Sequence, residues 1–260
     1  MIDINHPENW KFESPTAPGW HSVVGPHNSA LQRLSVYRLN LSPGDSHELR
    51  HDTLELNLGV VSGTLRLTFN GTHYCLGCRD SVYLIPGDRV TVTAEPGEPV
   101  VAFAGAAPFH GVGASYVRRY DPDLPLGAVH QIHGEAPFRR EVFMTVDQDT
   151  PASSMINGFT WGDSGAWTSW PPHEHTEHLE EVYCYFDLPS PRFALHLCSR
   201  KPATVEFVHP VHTGDCVIIP EGYHPTVAMP GSSSSYFWLM AAHRPASRRY
   251  DLAVSDPAFV

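Results

Sequence analysis

Leu54-Glu55-Leu56-Asn57-Leu58-Gly59-Val60-Val61-Ser62-Gly63-Thr64-Leu65-Arg66-Leu67-Thr68-Phe69-Asn70-Gly71-Thr72-His73-Tyr74-Cys75-Leu76 is the stretch that decides the fold. Apolar residues alternate with other residues along most of it, the period of a strand and not of a helix. Ser62-Gly63 and Asn70-Gly71 interrupt the alternation. Asn-Gly between two alternating runs predicts a hairpin, because the tight turn needs positive φ at both central residues. The punctuation continues outward: Ser81-Val82-Tyr83-Leu84-Ile85 ends at Pro86-Gly87-Asp88, and Val90-Thr91-Val92-Thr93-Ala94 ends at Glu95-Pro96-Gly97. Val100-Val101-Ala102-Phe103-Ala104 closes this half. Short strands at a spacing of about 8–12 residues predict a β-sandwich or barrel.

The pattern returns after residue 180. Glu181-Val182-Tyr183-Cys184-Tyr185-Phe186, Arg192-Phe193-Ala194-Leu195-His196-Leu197, Cys216-Val217-Ile218-Ile219 and Tyr236-Phe237-Trp238-Leu239-Met240 read as strands. Val82-Tyr83-Leu84-Ile85-Pro86-Gly87 mirrors Val217-Ile218-Ile219-Pro220-Glu221-Gly222, so two copies of one barrel are the simplest account. The join is placed near residue 115, giving units 1–115 and 116–260. Helix is expected to be sparse, since no window carries a sustained i, i+3, i+4, i+7 stripe.

The 260-residue chain is long enough for two cores. Its net charge of −11 and lack of a Lys/Arg-rich run argue against nucleic acid. The longest apolar stretch, Pro99 to Phe109, falls short of the roughly 18–20 residues that a membrane helix needs. The first residues, MIDINHPENWKF, have neither a basic nor an apolar leader segment. Cys75 and Cys78 form a lone C-x-x-C, read as two reduced thiols beside a strand turn, and the odd total of five cysteines fits a reducing, cytoplasmic setting.

Seventeen histidines are the functional hint. His173-Glu174-His175 places two imidazoles on one face if extended, but at this histidine content chance supplies about one H-x-H. Its company gives it weight. Glu180-Glu181 opens the next strand, and Gly214-x5-Pro220-x-Gly222-x-His224 places a further histidine past a strand and tight turn. Two His and a Glu followed by a distant His is similar to the ligand pattern of the cupin barrel, in which two sheets curl around a cavity. Glu181 shares a strand face with Tyr183 and Tyr185, whereas Glu180 shares one with Val182, Cys184 and Phe186; the tyrosine face is taken as the inner one.

The expected metal ligands are therefore His173, His175, Glu181 and His224. Such a set suits one divalent ion: zinc first, with Mn, Fe, Co or Ni also compatible. His178 is a ligand only if the strand slips in register. His209 and His212, flanking a turn, are expected to be solvated, and His196 to lie behind the ligands. The first half has no H-x-H in Ser46–Glu55 and has Arg89 beyond Pro86-Gly87-Asp88, so it reads as a metal-free copy.

Asp163-Ser164-Gly165-Ala166-Trp167-Thr168-Ser169-Trp170-Pro171-Pro172-His173-Glu174-His175 resembles the D-S-G-N-W-S-S-Y-P-P-H-K-H stretch of the KduI/IolB family. Leu179-Glu180-Glu181-Val182-Tyr183 is similar to its L-E-E-T-Y, and Val217 to Pro225 to its V-x-V-P-x-G-Y-H-P. The resemblance implies an all-β bicupin, two double-stranded β-helix (jelly-roll) barrels, and a metal-dependent aldose–ketose isomerase acting on a deoxy-uronate. It implies 5-deoxy-glucuronate of inositol catabolism as the first substrate. The short loop between His175 and Glu181 keeps the sister activity on 4-deoxy-L-threo-5-hexosulose-uronate as an alternative. Tyr183, Tyr185 and a metal-bound hydroxide are candidates for the general base. Arg140 is a candidate for the substrate carboxylate, against a surface salt bridge, and Trp167, Trp170 and Trp238 for a sugar face. A cupin dioxygenase and a non-enzymatic sugar-binding cupin are the other readings. A small sugar acid is the expected partner, with no nucleic acid and no membrane. The exposed barrel edges suggest a homodimer or higher homo-oligomer.

Overall fold

The computed structural model describes residues 3–260 as an all-β chain of two barrels. Among the described residues the only helices are three single 3-10 turns, Pro7–Asn9, Pro245–Ser247 and Tyr250–Leu252, so no helix is long and apolar enough to cross a membrane.

The first barrel sets a six-stranded sheet against a four-stranded one. The larger sheet runs in the order Tyr116–Arg118, Ser81–Leu84, Leu54–Ser62, Val100–Pro108, Ser35–Leu41, Gly19–Val24. The smaller contains Ser46–Arg50, Arg89–Ala94, Leu65–Phe69 and Thr72–Leu76. The Asn-Gly hairpin forms where expected: Asn70 and Gly71 take φ of 48° and 78°, and Phe69 pairs with Thr72. The second barrel repeats the plan. Asp215–Ile219, Leu179–Phe186, Ser235–Ala242, Met155–Gly162 and Arg140–Val146 lie side by side in its large sheet. Trp167–Thr168, Thr226–Ala228, Ala194–Cys198 and Phe207–Val211 form the facing sheet.

Strand segments cross the join in both directions. Lys11–Glu13 pairs with Asp215–Ile219 in the second barrel's sheet, while Tyr116–Arg118 pairs with Ser81–Leu84 in the first barrel's sheet. The large sheets pack on each other through their outer faces: Asn57 Nδ2 donates to Thr145 Oγ1 at 2.8 Å, and Gly59 lies against Phe159 and Phe237.

Two buried carboxylates tie this contact reciprocally. Glu55 accepts from the backbone N–H groups of Ser153, Ser154 and Met155 at 2.7–2.8 Å and from the Tyr83 hydroxyl. Glu180 accepts from the N–H groups of Gln32, Arg33 and Leu34. Leu54-Glu55 and Leu179-Glu180 occupy the same place in the two barrels, since Leu56 sits opposite Leu84 as Glu181 sits opposite Ile219. Each barrel thus holds the other's incoming strand by its orphan donors, a charge-assisted arrangement in a site closed to water.

The interiors differ. Leu39, Leu56, Leu58, Val60, Leu67, Val82, Leu84 and Val92 fill the first barrel with aliphatic side chains. Leu56 stands at the register position of Glu181, and an exposed Arg89 stands two residues after Gly87 as His224 stands two after Gly222. The second barrel is aromatic and polar inside, with Tyr183, Tyr185, Tyr236 and His196 all buried.

Candidate metal centre

Donor atoms of His175, Glu181 and His224 lie within 4.8 Å of one another, and all three side chains are buried. Three separate pieces of chain deliver them. His175 follows the short strand His173–Glu174; Glu181 points inward from Leu179–Phe186; His224 follows the tight turn at Gly222. Gly222 has φ +84°, and a Cβ there would strike the Ser199 carbonyl oxygen, so the turn that presents His224 requires glycine.

The hydrogen bonds set the tautomers. His175 Nδ1 lies 2.9 Å from the Leu179 carbonyl oxygen, His224 Nδ1 3.0 Å from that of Gly222, and His173 Nδ1 3.0 Å from that of Pro171. A carbonyl only accepts, so each Nδ1 carries hydrogen and donates, and each ring turns its Nε2 the other way. Two of these nitrogens meet one oxygen: Glu181 Oε2 is 3.1 Å from His175 Nε2 and 3.2 Å from His224 Nε2. His224 Nε2 is buried without a hydrogen-bond partner. Acceptors converging on a carboxylate repel one another unless a cation or proton lies between them, and fixing of Nδ1 by a carbonyl is how metal-ligating histidines are oriented. The residues therefore fit a divalent cation.

The electrostatics show a pocket that favours positive charge beside Glu181. Burial alone would raise the Glu181 pKa, but the adjoining His175 and His224 imidazoles overcome it and hold the carboxyl at about 2. For His175 burial opposes protonation, yet the Glu181 partner lifts the pKa above the ordinary histidine value. His173 is pushed down to about 3 by burial and then by His224, so its imidazole is neutral. His173 stands outside the group of three. Its ring centroid is 4.8 Å from His224 and 6.3 Å from His175, and the side chain lines the adjoining cavity.

That cavity, of about 240 Å³, opens from Glu181 between the two sheets. Tyr183, Tyr236, Trp238, Trp170 and Arg140 form walls. The Tyr183 and Tyr236 rings stack at 4.1 Å. Burial, then the Glu181 charge, pushes Tyr183 well above the ordinary tyrosine pKa, so its hydroxyl stays protonated. Arg140 is half-buried; its one hydrogen bond is a long 3.4 Å contact to the Phe138 carbonyl, and it has no ion pair among the described residues. The tail closes one side: Val254–Ser255 pairs with His173–Glu174, and Tyr250, Ala253 and Ser255 face the cavity.

Other expected positions fall elsewhere. Tyr185 lies deeper and bonds His196 Nδ1 at 2.8 Å, outside the cavity wall. Trp167 packs on Trp170 at 5.1 Å and does not line the cavity. His178 contacts Ser247, and Glu180 faces the other barrel. His209, expected to be solvated, is instead 3% exposed, because the N-terminal 3-10 turn lies over it and the Pro7 carbonyl accepts its Nε2 hydrogen at 2.8 Å. His212 is partly exposed, as expected. Tyr236 and Tyr250 were missed. Tyr236 alternates with Trp238 and Met240, a period-two signal that marks it as inward-facing, whereas Tyr250 lies in an aperiodic tail with no such signal.

Comparison with known proteins agrees with this architecture. The solved structure of an IolB-like protein from Salmonella typhimurium superposes with TM-score 0.80 at 20% identity, covering 97% of this chain and 98% of that one. Oxalate decarboxylase of Lactobacillus farciminis superposes with TM-score 0.60 at 11% identity, covering 91% and 86%. In sequence, 5-deoxy-glucuronate isomerase of Halalkalibacterium halodurans is 28% identical over 239 residues, 85% of this chain and 86% of the relative. That of Bacillus velezensis is 26% identical over 231 residues, 82% and 83%. The KduI/IolB family model matches residues 11–259, and the chain belongs to the KduI/IolB family.

Proposed function

We propose that this protein is a metal-dependent aldose–ketose isomerase acting on a deoxy-uronate, with 5-deoxy-glucuronate converted to 5-dehydro-2-deoxy-gluconate as the first assignment. One observation carries the reading: the Nε2 atoms of two buried histidines converge on a buried carboxylate at the head of a cavity whose wall holds an arginine without a counter-ion. The named relatives act on that uronate, which supports the choice of substrate.

His175, Glu181 and His224 would hold the ion, with His173 as fourth donor from the cavity wall. Zinc is our first assignment, with Mn, Fe, Co and Ni served by the same N/O donors. When bound, a divalent ion supplies Lewis-acid polarisation of the substrate's C1 carbonyl and C2 oxygen. The protein's own groups do the rest. Arg140 pairs with the substrate carboxylate, so an anion enters a protein of charge −11. Tyr183, kept protonated, donates a hydrogen bond to a substrate oxygen in place of acting as the base. Trp238 offers an apolar face to the sugar.

The five cysteines are unpaired, which supports a cytoplasmic setting. Edge strands such as Thr72–Leu76 support a homo-oligomer. Proton NMR of metal-loaded protein with 5-deoxy-glucuronate in deuterated water tests the function. Appearance of the ketose supports it; no turnover with any of the five metals refutes it. Turnover confined to 4-deoxy-L-threo-5-hexosulose-uronate would reassign the substrate.

A further inference from the structure

A second cavity, of about 570 Å³, opens between the two barrels, away from the metal centre. Its lining includes Arg38, Arg79, Phe103, Tyr185, Asp187 and Gly214. Arg38 is only 7% exposed, yet no carboxylate lies within ion-pair distance. Nε donates to Asn40 and Nη1 to Ser14 Oγ, both at 2.8 Å, which uses two of the five guanidinium N–H groups. Arg79 is emptier still. Its guanidinium lies 4.1 Å from the Trp161 ring centroid, its Nε is buried without a partner, and it makes no ion pair among the described residues. Its backbone has φ +73°, a left-handed conformation that ordinarily favours glycine, so the arginine is held there against local preference. Asp187, on the exposed rim, pairs with neither arginine.

Two arginines facing one cavity without an anion form an incomplete charge arrangement. A guanidinium remains charged at any physiological pH, and burial without a partner is unfavourable. A guanidinium's unused N–H groups suit the oxygens of a carboxylate or phosphate. We propose that this cleft binds a small organic oxyanion, a phosphate monoester or a carboxylate, across the contact between the barrels. The site adjoins Tyr185 and Phe186 at the far end of the strand that carries Glu181, so it is distinct from the catalytic cavity while sharing a strand with it.

Titration of the full-length protein with inorganic phosphate, with glucuronate and with uncharged glucose tests this, read by calorimetry. Saturable binding is expected for phosphate or glucuronate and not for glucose, and the tighter of the two identifies the anion class. Arg79→Gln removes no protein hydrogen bond and should weaken binding at least tenfold. Arg38→Lys keeps the charge but loses the fork and should weaken it several-fold, while Arg140→Gln should leave the Arg79-dependent binding in place. The proposal is overturned if neither anion binds saturably, if Arg79→Gln binds like wild type, or if only Arg140→Gln loses binding.

Discussion

Replacing Glu55 by glutamine changes one atom and keeps the shape of the side chain, so its cost isolates the inter-barrel clamp. Oε1 accepts from Ser154 and Met155, and Oε2 from Ser153 and Tyr83. An amide has one oxygen. Turned one way, it leaves two backbone donors facing an NH2 group. Turned the other, it leaves Ser153 unpaired and forces the Tyr83 hydroxyl to reverse its role. A buried donor without an acceptor costs about 1–3 kcal/mol, and hydrogen bonds to a charged group contribute about 1.5–3 kcal/mol each. The cheaper orientation therefore destabilises by about 3 kcal/mol. At roughly 2–4 °C per kcal/mol for chains near this size, Tm falls by roughly 6–12 °C. Urea and thermal unfolding followed by circular dichroism, with the metal content measured in parallel, should show this loss with metal retained. A loss below about 0.5 kcal/mol would refute the clamp.

Adjacent glutamates should behave oppositely: Glu181→Gln should lower metal content and activity by roughly a hundredfold or more, whereas Glu180→Gln should retain metal and lose about 2 kcal/mol of stability, as metal analysis and denaturation would show. Arg140→Gln should raise KM for the uronate about 10- to 100-fold with little change in kcat, from the loss of a charge-assisted pair; an unchanged KM removes it from the substrate site. Tyr183→Phe should lower kcat about tenfold or more with metal retained, and an alkaline limb of the pH–rate profile that disappears in this variant would instead make it the base. The His130 pKa is raised by its hydrogen bond to the Leu124 carbonyl, against burial, with help from Glu141. Its folded pKa is above its unfolded value, so its contribution to stability is complete below pH about 6.5 and fades as pH rises through the folded pKa. Histidine NMR titration should place it above 6.5, and His130→Gln should flatten stability across that window.

Much of the fold was legible because turn residues bound the strands at residues 54–94 and because some of them, Leu65–Phe69 and Arg89–Ala94, have one wet and one dry face. Arg89–Ala94, for example, alternates exposed and buried along most of its length, and turn residues bound it. Met155–Gly162 and Ser35–Leu41 were not recognised. They are central strands buried almost throughout, one against the barrel interior and one against the other barrel, so period-two alternation is erased. The same contact explains why Glu55 and Glu180 went unread: their partners are backbone N–H groups about 100 and 150 residues away, invisible to local pattern. The orientation of Glu181 was legible because strand alternation separates it from Glu180 whatever the tertiary context. Tyr185 misleads for the opposite reason. Alternation puts it on the correct face, but position along the strand decides which inward residue reaches the cavity, and Tyr185 reaches His196 instead.

The central claim is that His175, Glu181 and His224 enclose one divalent ion. Metal stoichiometry by plasma mass spectrometry, for wild-type protein and His224→Ala after loading with zinc and removal of free metal, tests it most directly. The account predicts one equivalent per chain in the wild type and less than about a tenth in a folded variant, a loss of tenfold or more. A wild-type chain that retains none of Zn, Mn, Fe, Co or Ni, or a variant that retains a full equivalent, would contradict it.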